Sequence, residues 1–264
     1  MLTEVKKEFK SAFLAVKYNI MREMLNPITF ITNVLFMMLN NATFIIQWLI
    51  LYSLQDSIGG YSFKQVMLLW ALAATTYGLS HIIFHNAYRL SDLITNGKLD
   101  SYIVQPKNIL LNVITSSTSI SAIGDLLYGI LVSLFVGLNF SEWLLFIFFS
   151  ITGAIIITSV AVISASSSFY IVKGDLIASN MNSLSTHFTT YPDGIFNNAV
   201  KFVFYTVLPI SYVVYLPIRV ITEFNITITL IVILATIFAI FLSFFIFNRG
   251  LKKYSSTNLM SARI

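Results

Sequence analysis

The chain has 264 residues, of which 57% are hydrophobic and only 10% are charged, and its mean hydropathy is +0.82. These values exclude a water-soluble globular protein and are typical of a polytopic membrane protein. A transmembrane helix needs about 20 apolar residues, so this length can hold six spans and leaves no room for a large soluble domain. The absence of cysteine excludes a disulfide or a thiolate metal site.

The N-terminal residues 1–26 predict an amphipathic helix that lies in the membrane interface. Apolar residues recur along it at helical spacing, while Lys6, Lys10 and Lys17 lie off that stripe. A cytoplasmic helix that packs on protein would show the same pattern. The Asn-Pro pair at 26–27 then supplies an N-cap and a first-turn proline for the first span.

The hydrophobic runs that follow predict an all-α fold with six transmembrane helices. Their positions indicate a short cytoplasmic loop between the second and third spans and a re-entrant helical pair before the last span. The predicted spans are residues 28–54, 64–88, 109–138, 142–171, 175–190 and 226–247.

The region before the last span has two interpretations. We prefer the one in which the polar residues 175–190 form a span and residues 195–222 form a re-entrant pair that dips into the membrane from outside. In the alternative, residues 175–197 are a cytoplasmic loop and residues 200–222 are the span. The preference rests on three prolines that break helices: Pro192, Pro209 and Pro217.

The basic residues predict the orientation of the chain in the membrane. With a cytoplasmic N-terminus, all of them except Lys64, Lys201 and Arg219 fall on the cytoplasmic side, so the positive-inside rule places both termini there. Aromatic residues are not interleaved with them as in a nucleic-acid binder. The net charge of +5 therefore indicates topology and attraction to the lipid bilayer, with no nucleic-acid partner.

No catalytic motif is found in the sequence. It contains no Walker A loop, no Gly-x-Ser-x-Gly turn and no glycine-rich dinucleotide turn, so we predict that the chain is not an enzyme. His81 and His85 are four residues apart but lack the intervening glutamate and a third ligand of a zinc site. Hydrogen bonds between helices explain this pair better than a metal.

Two groups of polar residues are candidates for a substrate pathway. Asp125 lies near the middle of a span, where a charged Asp costs about 2.5–3.5 kcal/mol and needs a partner, water or a proton. It is either a substrate or proton site, or a hydrogen-bonding group for Ser121, Tyr128 or another subunit. The second group shares one helical face, which either lines water or pairs across helices: Ser179, Asn182, Ser183, Thr186 and Thr190.

The polar stretch at residues 89–108, which we call the island, predicts a short docking helix. Ser91 can cap a helix whose first turn holds Asp92, and Asn96 and Gly97 can end it. This pattern suits docking into a groove on a cytoplasmic partner, although a lipid-facing interfacial turn fits the spacing equally well. Three apolar residues then recur at helical spacing: Leu99, Tyr102 and Ile103.

Two stretches of the sequence resemble those of a known family. "RLSDLITNGKLDSYIVQP" resembles the first cytoplasmic loop of ABC-2-type permeases, in the branch of small six-span exporter subunits. "YPDGIFNNAVKFVFYTVLPISYVVYLP" is similar to the segment that follows the fifth span in that branch. With the spacing of the spans and the N-terminal helix, the resemblance extends over nearly the whole chain as a single domain, 1–264.

The resemblance implies a multi-pass permease of the bacterial plasma membrane that exports a hydrophobic or amphiphilic substrate. It would pair with a second permease, identical or related, and with two separate ABC ATP-binding subunits. ATP and Mg would bind to those subunits, with no cofactor on this chain. Residues 89–108 would be the coupling loop, 1–26 the connecting helix and 195–222 the re-entrant segment. The residues that would couple to the ATPase are Arg89, Ser91, Asp92, Gly97, Lys98, Leu99, Asp100, Tyr102 and Ile103.

Some points stay open at the level of sequence. Asp100 and Gln105 depart from the apolar or basic residues expected in this loop, which leaves the matching ATPase undefined. An ion-coupled secondary transporter that depends on Asp125 is an alternative function. A non-transporting immunity or sensor protein is another. Neutral polar walls suit drugs, antimicrobial peptides and lipid-linked glycans alike.

Overall fold

The computed structural model describes residues 2–171 and 173–254, so Met1 of the predicted N-terminal helix lies outside the described residues. Within these ranges the fold is built from helices and contains no β-strand. Short 3-10 turns occupy Ser166–Phe169 and Asp193–Ile195, and a π-helical turn occupies Ser211–Tyr215. The helices are α1 (Leu2–Glu23), α2 (Pro27–Leu54), α3 (Phe63–Ile83), α4 (His85–Tyr88), α5 (Leu90–Thr95), α6 (Asp100–Ile103), α7 (Ile109–Ile114), α8 (Ser121–Val136), α9 (Phe140–Ala165), α10 (Gly174–Phe188), α11 (Asn198–Thr206), α12 (Leu216–Thr222) and α13 (Ile226–Leu251).

Four of the described helices, α2, α3, α9 and α13, are long and apolar enough to cross a membrane. A fifth span is added if α11 and the helical segment Ser211–Thr222 are counted as one broken span, although they are bent by 84°. α8 is apolar but shorter, with 16 residues. The predicted all-helical fold is confirmed, with four or five candidate spans.

Polar caps fix where the first two long helices begin. The side chain of Asn26 accepts a hydrogen bond of 3.3 Å from the Thr29 N–H, and Pro27 occupies the first turn of α2, as the sequence predicted. Ser62 and Gln65 form a capping box at the start of α3. These caps therefore set the residues at which α2 and α3 begin.

The third predicted span is not one continuous helix, because α7 and α8 are separated by a break. The sequence at 115–119 is Thr-Ser-Ser-Thr-Ser, and such hydroxyl side chains compete with the helical backbone for hydrogen bonds. The Ser119 N–H donates to the His81 carbonyl at 3.1 Å, and the Thr118 hydroxyl donates to the Ile82 carbonyl at 2.8 Å. The C-terminal turn of α3 therefore holds the break in place.

The buried residues form two cores. The larger core is centred on α3, α8 and α9 and extends to the π-helical turn and α12. The second core joins the island and its flanking residues to the ends of α9 and α13 and to the start of α10, with Phe169 and Phe247 rings 5.6 Å apart. α3 and α9 are central in the bundle, whereas α2 and α13 are peripheral.

These two cores define two ends of the molecule. We call the end formed by 84–118, 166–178 and 247–254 the basic end. The opposite end, formed by 52–64 and 188–206 with the end of α12 and the start of α13, is the far end. α13 has 26 residues and therefore spans about 39 Å between them.

Helix α1 lies at the basic end. Its Asn19 side chain donates to the Thr115 carbonyl at 3.2 Å, and the Asn108 N–H donates to Glu8 at 2.9 Å. Phe13, on the predicted apolar stripe, is 70% exposed. Polar contacts therefore attach α1 to the segment around α7, and part of its apolar surface stays uncovered within the chain.

Candidate functional site

The island folds into two short helices, α5 and α6, that meet at a tight turn. Gly97 adopts a left-handed conformation, with φ of 67°, and ends the first helix as predicted. Ser91 does not cap that helix, because it lies inside α5 and hydrogen-bonds to Ser168. The predicted Ser91 cap is therefore wrong, and the hydroxyl instead ties the island to the 3-10 turn after α9.

Two apolar residues of the island, Leu99 and Tyr102, contact the protein's own second core. Leu99 is completely buried in the second core, and Tyr102 packs against that core while its hydroxyl lies 3.0 Å from the Ser116 hydroxyl. A groove on another protein cannot receive a side chain that is already buried. Leu99 is thus corrected from a docking residue to a residue that anchors the island, whereas Tyr102 is half-buried and its docking role stays a prediction.

The exposed surface of the island is a mixture of charged and apolar side chains. Lys98 and Asp92 form an ion pair of 3.4 Å. Ile103 is 40% exposed and the neighbouring Val104 is 82% exposed. Val104 is the most exposed apolar side chain of the island. The sequence pattern missed it because Val104 comes directly after Ile103 and lies off the helical spacing of the three predicted apolar residues. Arg89 and Asp100 are exposed as well.

Asp125 finds its partner on α2. The Asn41 amide donates to its carboxylate at 2.6 Å, so the expected hydrogen bond between helices exists, but with a residue that sequence reasoning did not select. Among the described residues no basic side chain lies within 4.0 Å of the Asp125 carboxylate. The Asn-Asn pair at 40–41, inside an otherwise apolar run, was the signal that could have found it.

A cavity of about 440 Å³ is lined by residues from both predicted pathway groups. It lies between α2, α3, the start of α8 and the end of α10, and Asp125, Thr186 and Thr190 all line it. Ser179, Asn182 and Ser183, which lie on the same helix as Thr186, do not line this cavity. The structure therefore brings the far-end half of the predicted polar face to Asp125 and leaves the other half apart.

The far end contains a polar cluster that the sequence did not predict. Asp193 is buried, accepts a hydrogen bond of 2.8 Å from the Tyr61 hydroxyl and pairs with Arg219 at 2.9 Å. Burial and the neighbouring Asp193 carboxylate raise the pKa of Tyr61 above its ordinary value. Next to this cluster, a Cβ on Gly194 would collide with the Gly59 carbonyl oxygen. Loop 55–62 and the segment after α10 are therefore in direct backbone contact.

The three prolines of the predicted re-entrant segment lie at its breaks. Pro192 precedes the 3-10 turn at Asp193–Ile195, and Pro209 separates α11 from the π-helical turn. Pro217 follows that turn at the second position of α12. Each lacks a backbone N–H, so a regular helix cannot continue through these positions.

The histidine pair is a packing feature. The His81 ring lies 3.9 Å from the Tyr88 ring in a stacked arrangement, and its Nδ1 is 3.0 Å from the Tyr77 carbonyl. His85 lies with its ring 6.0 Å from that of His81. Within the described residues, no group of three potential ligands could hold a metal ion.

Long apolar helices, a broken helical pair and two polar ends define a multi-pass helical membrane protein. A family model described as "ABC-2 family transporter protein" matches residues 36–258, so the chain belongs to that family and is a transport permease. Such permeases are the membrane subunits of transport systems, and they generally work with an ATP-binding subunit. Neither the curated proteins nor the solved structures include a significant match to the chain.

Proposed function

We propose that this chain is the permease subunit of an ATP-binding-cassette exporter in a bacterial plasma membrane. It pairs with a second permease, identical or related, and with two ATP-binding subunits that hold ATP and Mg. A hydrophobic or amphiphilic substrate moves outward through the permease pair. Six spans carry this function: α2, α3, α7 with α8, α9, α10 and α13.

The charge distribution supports a cytoplasmic basic end. Only Lys64, Lys201 and Arg219 belong to the far end, and the Arg219 charge is paired with Asp193. By the positive-inside rule the basic end and both termini face the cytoplasm. The described basic residues at the basic end and on α1 are Lys6, Lys7, Lys10, Lys17, Arg22, Arg89, Lys98, Lys107, Lys173, Arg249, Lys252 and Lys253.

This orientation gives roles to α1 and to the segment before α13. α1 lies at the cytoplasmic interface as the connecting helix, with the exposed Phe13 in the lipid and its lysines toward water. The bent pair of α11 and α12 enters the membrane from outside and returns. Its broken backbone is tolerated there because the π-helical turn and α12 are buried against α3 and α9.

The observation that carries the proposal is the way in which the island is anchored. Leu99 is buried in the same core as Phe169 and Phe247, which belong to the ends of α9 and α13. A packed core transmits displacement rather than absorbing it. A partner that moves the island therefore moves the cytoplasmic ends of these helices together, which is how ATP-driven closure of the ATPase pair reaches the spans.

The test uses the exposed part of the island, because a charge at the buried Leu99 would disrupt folding. We expect that Val104→Asp, purified by affinity from native membranes, loses a co-purifying ATP-binding chain that the unmodified protein retains. Phe224→Asp is the matched control, since Phe224 is an exposed apolar residue, 68% accessible, in the loop before α13 at the far end. It should retain the partner.

Several outcomes would contradict the proposal or part of it. If no ATP-binding chain accompanies the unmodified protein, the exporter assignment is wrong. If the purified chain alone transports substrate in liposomes on an ion gradient, it is a secondary transporter. Retention of the partner in Val104→Asp would show that docking does not depend on the exposed part of the island, and loss in both variants would show that the effect is not specific to the island.

A further inference from the structure

The cavity next to Asp125 combines one carboxylate with walls of apolar, aromatic and neutral polar side chains. Its lining contains two histidines, His81 and His187, but no lysine or arginine among the described residues. The Asp125 carboxylate accepts its hydrogen bond from the neutral Asn41 amide, and no histidine lies within ion-pair distance of it in the described part of the chain. An amide donor stabilises a carboxylate without neutralising its charge. A negative group inside a membrane protein is costly unless a positive partner compensates it.

Aromatic rings form much of the remaining wall. Phe44 and Trp70 stack with ring centroids 4.6 Å apart, and Tyr77 and Tyr191 also line the cavity. The face of an aromatic ring attracts a cation, and the attraction is stronger where water is excluded. The carboxylate and the rings thus favour the same kind of ligand.

Trp70 adds a second polar feature. It is only 7% exposed, and its indole nitrogen has no hydrogen-bond partner among the described residues. Buried donors of this kind are normally paired with an acceptor. A ligand that carries an oxygen or another acceptor near its charged group would supply that partner.

We propose that this cavity binds a hydrophobic organic cation, with its ammonium group beside Asp125 and its apolar part against Phe44 and Trp70. An apolar pocket with a few convergent polar groups is the usual form of a small-molecule site. An anion would be repelled by Asp125, and a neutral hydrocarbon would leave the carboxylate uncompensated. The ligand class is therefore an amine or quaternary ammonium compound with an aromatic or aliphatic body.

The role of this cation as exported cargo rests on the proposed function, whereas its binding to the cavity does not. The two ideas can fail separately. If the purified chain binds the cation but has no ATP-binding partner, the proposed binding site stands and the exporter assignment is wrong. If the purified chain has an ATP-binding partner but does not bind the cation, the exporter assignment stands and the proposed binding site is wrong.

The experiment measures binding of radiolabelled benzyltrimethylammonium to the full chain purified in detergent. Unlabelled benzyltrimethylammonium should displace the label, and its neutral carbon isostere, neopentylbenzene, should not. Asp125→Asn keeps the size of the side chain and should weaken binding by about tenfold or more. Trp70→Phe keeps a ring and should weaken binding by a smaller factor, because the smaller ring offers less apolar surface to the body of the ligand.

Asp56→Asn is the matched control, since it removes an exposed carboxylate in the loop between α2 and α3 and should leave binding unchanged. Equal displacement by the cation and the isostere on the unmodified protein would overturn the proposal, whether or not the variants fold. The proposal would also be overturned if Asp125→Asn kept both the melting temperature and the saturable cation binding of the unmodified protein. In that case Asp125 serves only to join α8 to α2 through Asn41.

Discussion

The far-end cluster around Asp193 predicts an unequal effect of two similar substitutions. Tyr61→Phe removes the hydroxyl that donates to the buried Asp193 carboxylate but keeps the ring in the core. A hydrogen bond to a charged group contributes about 1.5–3 kcal/mol, and its loss leaves one carboxylate oxygen without this donor. For a chain of this size the melting temperature should fall by roughly 3–12 °C. Thermal unfolding of the purified protein in detergent measures this shift.

Tyr52→Phe is the control for this prediction. The Tyr52 hydroxyl also donates at 2.8 Å, but its acceptor is the neutral carbonyl of Tyr61. Charge-assisted hydrogen bonds are roughly twice as strong as neutral ones, so the decrease in melting temperature should be about twice as large for Tyr61→Phe. Equal decreases, or an unchanged melting temperature in Tyr61→Phe, would refute the assigned role of Asp193 as a charged acceptor.

Two further predictions concern the same end of the molecule. Because the folded protein raises the pKa of Tyr61, its contribution to stability is complete below about pH 10 and decreases as the pH rises above that value. Unfolding measured across this alkaline range should show a shallower decrease in Tyr61→Phe than in the unmodified protein, and parallel curves would contradict the shift. Gly194→Ala should lower the free energy of unfolding by about 1–3 kcal/mol, because its methyl group would meet the Gly59 backbone and no side-chain rotation relieves the contact. An unchanged melting temperature in that variant would show that loop 55–62 is not held against residues 193–195.

The elements that depend on hydrophobic period and capping were predictable from the sequence. The all-helical class followed from composition, and the start of α2 followed from the Asn-Pro pair at 26–27. The turn at Gly97 followed from the need for a left-handed residue. These properties depend on residues that are close together in the sequence, so the sequence alone is enough to predict them.

The features that depend on long-range packing were not predictable. The Asn41–Asp125 contact joins residues 84 positions apart, and the Tyr61–Asp193 contact joins residues 132 positions apart. Periodicity identified Leu99 as one of a row of apolar residues, but it could not tell whether that row faces a partner or the chain's own core. The break at 115–119 was visible as a run of Ser and Thr, yet the high hydropathy on both sides concealed it.

The second core also bears on how relatives of this chain can be recombined. Island residues such as Leu99 are buried together with Phe169, Ala178 and Phe247, which come from three other parts of the chain. The island is therefore not an exchangeable module. A chimera that exchanges the island must also transfer residues 165–178 and 247–254, because otherwise side chains from two different proteins would have to pack in one core.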